Sequence, residues 1–298
     1  MKNQSFGDKA FDISNLIITS AITLTILYPL IYILSASVSD PTYVQSGKMW
    51  LLPEGFTLQG YERLLQYDEI WTGYANTILY TVGGTLLNLV VTLPCAYALS
   101  RKDFLGRSFI FTAIIITMFF NGGMIPTYLV IKQLGLLDTR MMMIITGATS
   151  AYNLIVCRTF FSTTIPVEMQ EAGFMDGCSN ARFFYSIILP LSKPIVAVMC
   201  LFFGVWHWNN YFHSMIYLSR RELYPLQLFL REILVQQQMA VQMLAAGDSA
   251  VDALDKQAKI AEMVKYSSII VATLPVIAVY PFLQKFFVQG VTLGAVKG

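Results

Sequence analysis

Long stretches without charge alternate along the chain with short polar ones. Six uncharged runs stand out: Ile13–Ser39, Ile70–Ser100, the stretch from just after Arg107 to Ile131, Met141–Cys157, Pro194–Ser219 and Tyr266–Gln284. A bilayer core of about 30 Å takes about 20 apolar helical residues to cross. Lipid offers the backbone no hydrogen bonds, so each run is predicted to be helical. The fourth run is the shortest. It extends through Phe160 and Phe161 if Arg158 snorkels to the interface. The pattern predicts an all-α integral membrane protein with six transmembrane helices. Pro29, Gly83-Gly84, Pro94, Gly122-Gly123, Pro126 and Pro275 lie inside these runs. Such residues bend helices or let them approach closely. Gly122-Gly123 followed by Pro126 predicts a broken or bent third helix. Asn121 beside the break then either lines a path or packs.

Composition agrees with a membrane protein. Of 298 residues, 55% are hydrophobic and 13% charged, against about 25% charged in soluble domains. Mean hydropathy is +0.57. A net charge of +2 without an Arg/Lys tract is too small to argue for nucleic acid as a partner. Cys95, Cys157, Cys178 and Cys200 lack metal-type spacing and read as small buried apolar residues. Lys2 and Lys9 precede a run too long for a signal peptide, so the first helix is expected to stay in place. Lys and Arg are balanced between the two faces and do not orient the chain. His207 and His213 read as neutral hydrogen-bonding groups. The runs contain no acid, which disfavours a proton-driven secondary carrier, the main alternative. No nucleophile–base pair is present, so no catalytic residue, metal site or enzyme activity is assigned.

One segment does not fit membrane burial. Between the fourth and fifth runs the chain reads EAGFMDGCSNARFFYSIILP, from Glu171 to Pro190. Pro166-Val167-Glu168 is a helix start, with proline tolerated in the first turn and acid suited to the dipole. A helix over about 168–180 is predicted, with Gly177 permitting a turn or a close contact. The spacing resembles the EAA motif of binding-protein-dependent ABC import permeases: Glu-Ala-Ala, three residues, Gly, nine residues, Ile-x-Leu-Pro. Glu171, Ala172, Gly177, Ile187, Leu189 and Pro190 fall on it. Gly173 departs from the usual Ala, and glycine weakens a helix by about 1 kcal/mol relative to alanine.

Two further stretches extend the resemblance. Trp206-His207-Trp208-Asn209-Asn210 looks like the Trp-Asn segment of carbohydrate permeases. The tail from Phe286 to Gly298, with the loop sequence YPLQLFLREIL, resembles the oligosaccharide branch related to the maltose importer's smaller membrane subunit. The resemblance implies a type I ABC importer transmembrane domain. Residues 1–69 would hold the N-terminal tail, first helix and outer loop, and residues 70–298 the permease core. It further implies a cytoplasmic coupling helix seated in an ATPase cleft, with Glu171, Ala172, Gly173, Asp176 and Gly177 at the contact. The implied partners are a second homologous permease, two ATPase subunits, an extracellular solute-binding protein, an oligosaccharide and the bilayer. The location would be the bacterial cytoplasmic membrane, with both termini cytoplasmic. The chain has no G-x-x-x-x-G-K-[ST] phosphate loop, so no bound cofactor is expected of it, and the resemblance implies ATP/Mg on partner subunits.

A sugar needs hydrogen bonds and flat aromatic faces. Trp206, Trp208, Asn209, Asn210 and Tyr211 are concentrated in one run, and Trp206, Asn209 and Asn210, at i, i+3 and i+4, are expected to share a helical face. Interfacial anchoring by Trp and helix gluing by Asn are the competing readings. The loop 220–265 is too polar to span and is expected to form short amphipathic helices that touch the binding protein or cap the cavity.

Overall fold

A computed structural model describes residues 6–245 and 251–295. The fold is all-helical among the described residues. Residues 246–250 of the 220–265 loop and 296–298 of the tail lie outside them. The chain divides into two compact units, residues 1–68 with 230–274, and residues 69–229 with 275–298.

The first unit begins with α1, Phe6–Ser37. None of its apolar window is buried against the rest of the protein. Asp40 caps the short α2, Pro41–Gln45, by accepting from Thr42 N at 2.8 Å. Ala36, Val44 and Met49 form a small core with Tyr32 and Tyr266. Gly60 in α3, Gln59–Leu65, lets that helix lie on the backbone at Met263, because a Cβ there would stand 2.9 Å from Met263 O.

The second unit is organised around α4, Asp68–Ser100. Its core joins Leu93, Ala96 and Leu99 to Cys157, Phe161, Phe183, Ile188, Met199 and Phe203. Around α4 the predicted runs are interrupted. The third is α5, Arg107–Phe119, and α6, Met124–Gln133, bent by 115°. The bend falls at Asn121-Gly122-Gly123, where Gly123 has φ +88. The fourth is α7, Arg140–Ile145, and α8, Ala151–Thr164, separated by a loop with Gly147 at φ +72. The fifth is α12, Lys193–Trp208, and α13, Phe212–Tyr217. Between α8 and α12 lie α9, Val167–Met175, and α10, Asn180–Phe183. A π-helical turn, Phe184–Ile188, and α11, Leu189–Leu191, follow. The segment 180–191 meets α12 at 82°. Pro190 and Pro194 explain this: neither has an N–H, and each ring crowds the preceding turn.

Among the described residues three helices are long and apolar enough to cross a membrane: Gly7–Ser37, Asp68–Ser100 and Lys259–Phe282. Counting each of the two bent pairs as one span raises the number to five. The loop 220–265 also differs from expectation. In place of several short helices it has one 3-10 turn, Arg221–Leu223, then α14, Leu226–Ala245, of 20 residues. Residues 251–265 belong to α15, Val251–Ala295, which runs without a break into the last apolar run.

At the Asp68 end of α4, side chains hold the Glu222–Leu226 segment. Asn76 Nδ2 donates to Glu222 O at 2.7 Å and Tyr224 O at 3.1 Å, and Tyr80 OH donates to Leu223 O at 2.8 Å. Asp138 fastens a second loop to this end. It accepts from the backbone N–H groups of Ser219 and Arg220 at 2.9 and 3.0 Å and pairs with Arg220 Nε at 2.8 Å. The Arg220 and Ser219 amides, in that order, hold the Asp138 carboxyl below its usual range.

Candidate functional site

The EAA-like segment is two helices with a defined stop between them. α9 ends in a Schellman motif: Gly177 N donates to Phe174 O and Cys178 N to Gly173 O, both at 3.0 Å. Gly177 occupies the left-handed position with φ +74, and a Cβ there would meet nothing within 4 Å. Its requirement is therefore backbone conformation. The expected helix over 168–180 closes at Met175, and Ser179 caps a new one by accepting from Arg182 N.

Glu168, Glu171, Ala172, Met175 and Asp176 are exposed, while Gly173 is buried. Met175 is 88% exposed. The opposite side of α9 packs on its own unit. At Gly173 an added Cβ would lie 2.7 Å from both Cδ2 and Cε2 of Phe183, a fully buried ring. The departure from Ala thus has a local cause, since Phe183 fills the space a methyl would take.

Polar contacts fasten α9 to the Ser100 end of α4. Arg101 Nε donates to Asp103 Oδ1 at 2.9 Å, and its Nη2 pairs with the other carboxylate oxygen. Arg101 Nη1 donates to Asn180 Oδ1. The guanidinium lies 5.2 Å from the Phe174 ring centroid. The Arg101 hydrogen bond is the largest cause holding the Asp103 carboxyl down, to about 2, and a Gln170 side-chain hydrogen bond adds to it. Arg158 does not snorkel outward. Its Nε donates to Leu99 O at 3.0 Å and its guanidinium covers the Phe111 ring at 4.0 Å. Arg107 Nη1 reaches Arg101 O at 3.0 Å. These cations gather where the α4 dipole is negative.

The aromatic and amide candidates do not share one helical face. α12 stops at Trp208, and Asn209 is its C-cap with φ −90 and ψ 4. Asn209 and Tyr211 are exposed, Trp206 is 39% exposed, and Trp208 and Asn210 are buried. Asn209 Nδ2 folds back to Val205 O at 2.9 Å. Asn210 Oδ1 accepts from His213 N at 3.3 Å and faces His213 Nδ1 at 2.8 Å. Its buried Nδ2 has no partner among the described residues. Trp208 meets Tyr74 at 6.3 Å between ring centroids. Both line a largely apolar cavity of about 320 Å³ that reaches Gly204 and Pro275. Asn121 is exposed and its Oδ1 accepts from Gly123 N at 2.9 Å, closing the turn at the α5–α6 break.

A polar cluster that sequence reasoning missed lies behind Trp206. Asn88 is fully buried in α4. Its Nδ2 donates to Gly147 O, and its Oδ1 lies 2.8 Å from His207 Nε2. With the Asn88 amide nitrogen committed to a carbonyl, His207 is the donor of that pair. The His207 ring occupies the space over Gly84, and the Trp206 ring that over Gly147. Three interruptions thus follow α5, precede α8 and follow α12. Two of them, at Gly147 and at the α12 terminus, meet at Asn88 and His207. Among the described residues no group of His, Cys, Asp and Glu could hold a metal.

Comparison with known proteins gives relatives over the whole chain. The chain is 35% identical to protein LplC of Bacillus subtilis over 298 residues, covering 100% of this chain and 98% of that protein. It is 37% identical to the polygalacturonan/rhamnogalacturonan transport system permease protein YtcP of Bacillus subtilis, covering 92% and 94%. Among solved structures it matches a chain of a bacterial ABC transporter involved in the import of the acidic polysaccharide alginate. That match has a TM-score of 0.83 and 36% identity, covering 96% of this chain and 100% of the other. No protein-family model matches the chain.

Proposed function

The chain belongs to the permease family of ABC sugar importers, and from that premise we propose that it carries oligosaccharides across the bacterial cytoplasmic membrane as one of two paired permeases. One of two ATPase subunits, holding ATP and Mg, would dock on α9, and an extracellular binding protein would deliver the sugar. The observation that carries this reading is α9 itself. Its Glu171, Ala172 and Asp176 side is exposed while Gly173 and the Arg101 contacts anchor its back. A short helix with an anchored back and a free acidic front fits a rigid element that another protein pushes.

Six crossings belong to this reading: the three long helices plus α5, α8 and α12. The last three have 13, 14 and 16 residues. At 1.5 Å per residue they reach about 20–24 Å, short of a bilayer core of about 30 Å. Irregular backbone at membrane depth is tolerated only inside protein or along a water-filled cavity. The Asp68 half of the unit would therefore hold the cargo vestibule, with Trp206, Asn210 and Tyr211 at its wall. α9 and both termini would be cytoplasmic. Carboxylate-bearing oligosaccharides are the favoured cargo, because the YtcP relative and the alginate importer are both named for acidic polymers.

The test is uptake of oligogalacturonides, and of a neutral oligosaccharide, into vesicles carrying the complete complex. Glu171→Lys should leave membrane insertion intact and abolish import, and the acidic sugar should enter in preference. Normal uptake by the variant would refute the docking role, and faster uptake of the neutral sugar would refute the acidic cargo.

A further inference from the structure

Movement at α9 has a covalent route into the membrane through α10, the π turn and α12. That route passes the 82° bend before α12. The path to α4 is different, because no neighbouring chain segment joins α9 to α4. What crosses from the end of α4 to the EAA-like segment in polar terms is the Arg101 cluster. One guanidinium, with a side chain only 12% exposed, touches three elements at once. It pairs with Asp103 in the turn after α4, it stacks on Phe174 of α9, and it donates to Asn180 at the start of α10. Gln170 of α9 closes the circuit on Asp103.

We propose that Arg101 is a positioning residue that locks α9 and α10 to the end of α4, so that a displacement of α9 moves α4 together with α12. The proposal rests on the docking role given to α9 above. Arginine suits the task where lysine does not. The planar fork gives two parallel donors to Asp103, keeps a third for Asn180 and leaves a flat face for Phe174. An ammonium has three donors but no planar fork and no flat face, so it cannot give Asp103 two parallel donors while also reaching Asn180 and covering Phe174. Arg107 and Arg158 steady the same turn through the carbonyls of Arg101 and Leu99. The lock therefore rests on a braced helix end.

The experiment uses the complete complex in proteoliposomes, with ATP hydrolysis and sugar import measured on the same preparation. Arg101→Lys and Asn180→Ala are compared with Glu171→Lys. For Arg101→Lys, the ATPase should still co-purify and hydrolyse ATP near the unaltered rate. Sugar imported per ATP should fall about tenfold, the equivalent of one charge-assisted contact. Asn180→Ala should show a smaller fall in the same ratio. An unchanged ratio in Arg101→Lys overturns the lock. So does loss of the ATPase from that variant, which would make Arg101 part of the docking surface. If Glu171→Lys imports normally, the docking reading fails instead; if it is inactive while the Arg101→Lys ratio is unchanged, only the lock fails.

Discussion

Replacing Gly173 with alanine tests whether the packing under α9 is as tight as the contacts indicate. The added methyl would sit 2.7 Å from two carbons of the Phe183 ring, where non-bonded carbons prefer about 3.5–4.0 Å. The ring has no room to retreat, because Phe183 is fully buried among Leu99, Phe161 and Phe184. Overpacking of this kind costs about 1–3 kcal/mol. Two contacts at 2.7 Å on a boxed-in ring put the cost in the upper part of that range, about 2–3 kcal/mol. Alanine favours the helix by about 1 kcal/mol, so the net loss expected is about 1–2 kcal/mol. Phe183→Leu alone should also destabilise, by removing buried area. In the double variant the leucine makes room for the methyl, and the two losses should sum to less than their separate values. Thermal melting of the purified complex, read as a double-mutant cycle, measures that coupling. A Gly173→Ala variant as stable as the parent, or two losses that simply add, would refute the account of Gly173.

The adjacent glycines of α4 give a second test. Gly84→Ala would drive a methyl into the His207 ring, which Asn88 holds in place, so it should cost about 2 kcal/mol or more. Gly83→Ala would meet the tip of Ile144 at 3.3 Å and should be near neutral; equal melting temperatures for the two variants would count against the His207 notch. The Arg101–Asp103 pair gives a pH test. Asp103 is lowered on folding from 3.8 to about 2, so its contribution is complete above about pH 4 and is lost as pH falls through about 2. Import per ATP should therefore be flat from about pH 5 to 8 as far as this pair is concerned; a transition there that Asp103→Asn removes would contradict the assignment.

Much of the architecture was legible because membrane burial leaves a coarse mark. The uncharged runs located the helices, and Gly122-Gly123 located a break. The EAA-like spacing located α9, and Gly177 marked its end through a backbone conformation that glycine adopts most easily. Other features left no periodic trace. Asn209 and Asn210 continue the helical spacing of Trp206 on paper, yet the helix stops before them. The break at Gly147 lies inside an uncharged run, where hydropathy cannot distinguish loop from helix. Asn88 and His207 are 119 positions apart, and the fit of Phe183 against Gly173 depends on a turn between them. Arg101 was visible only as a loop charge, since its three partners come from separate segments.

The uneven distribution of breaks has a mechanical consequence. Toward Ser100, α4, α5 and α8 are unbroken and cross-braced by arginines. Toward Asp68, the continuations of α5, α8 and α12 are interrupted by loops or bends. A body built this way is stiff where a push would arrive and compliant where a bulky solute would have to be accommodated. Deformation would then concentrate at Gly123, Gly147 and Asn209. Stiffening any one of those joints would impede movement while leaving α9 and its Arg101 contacts intact.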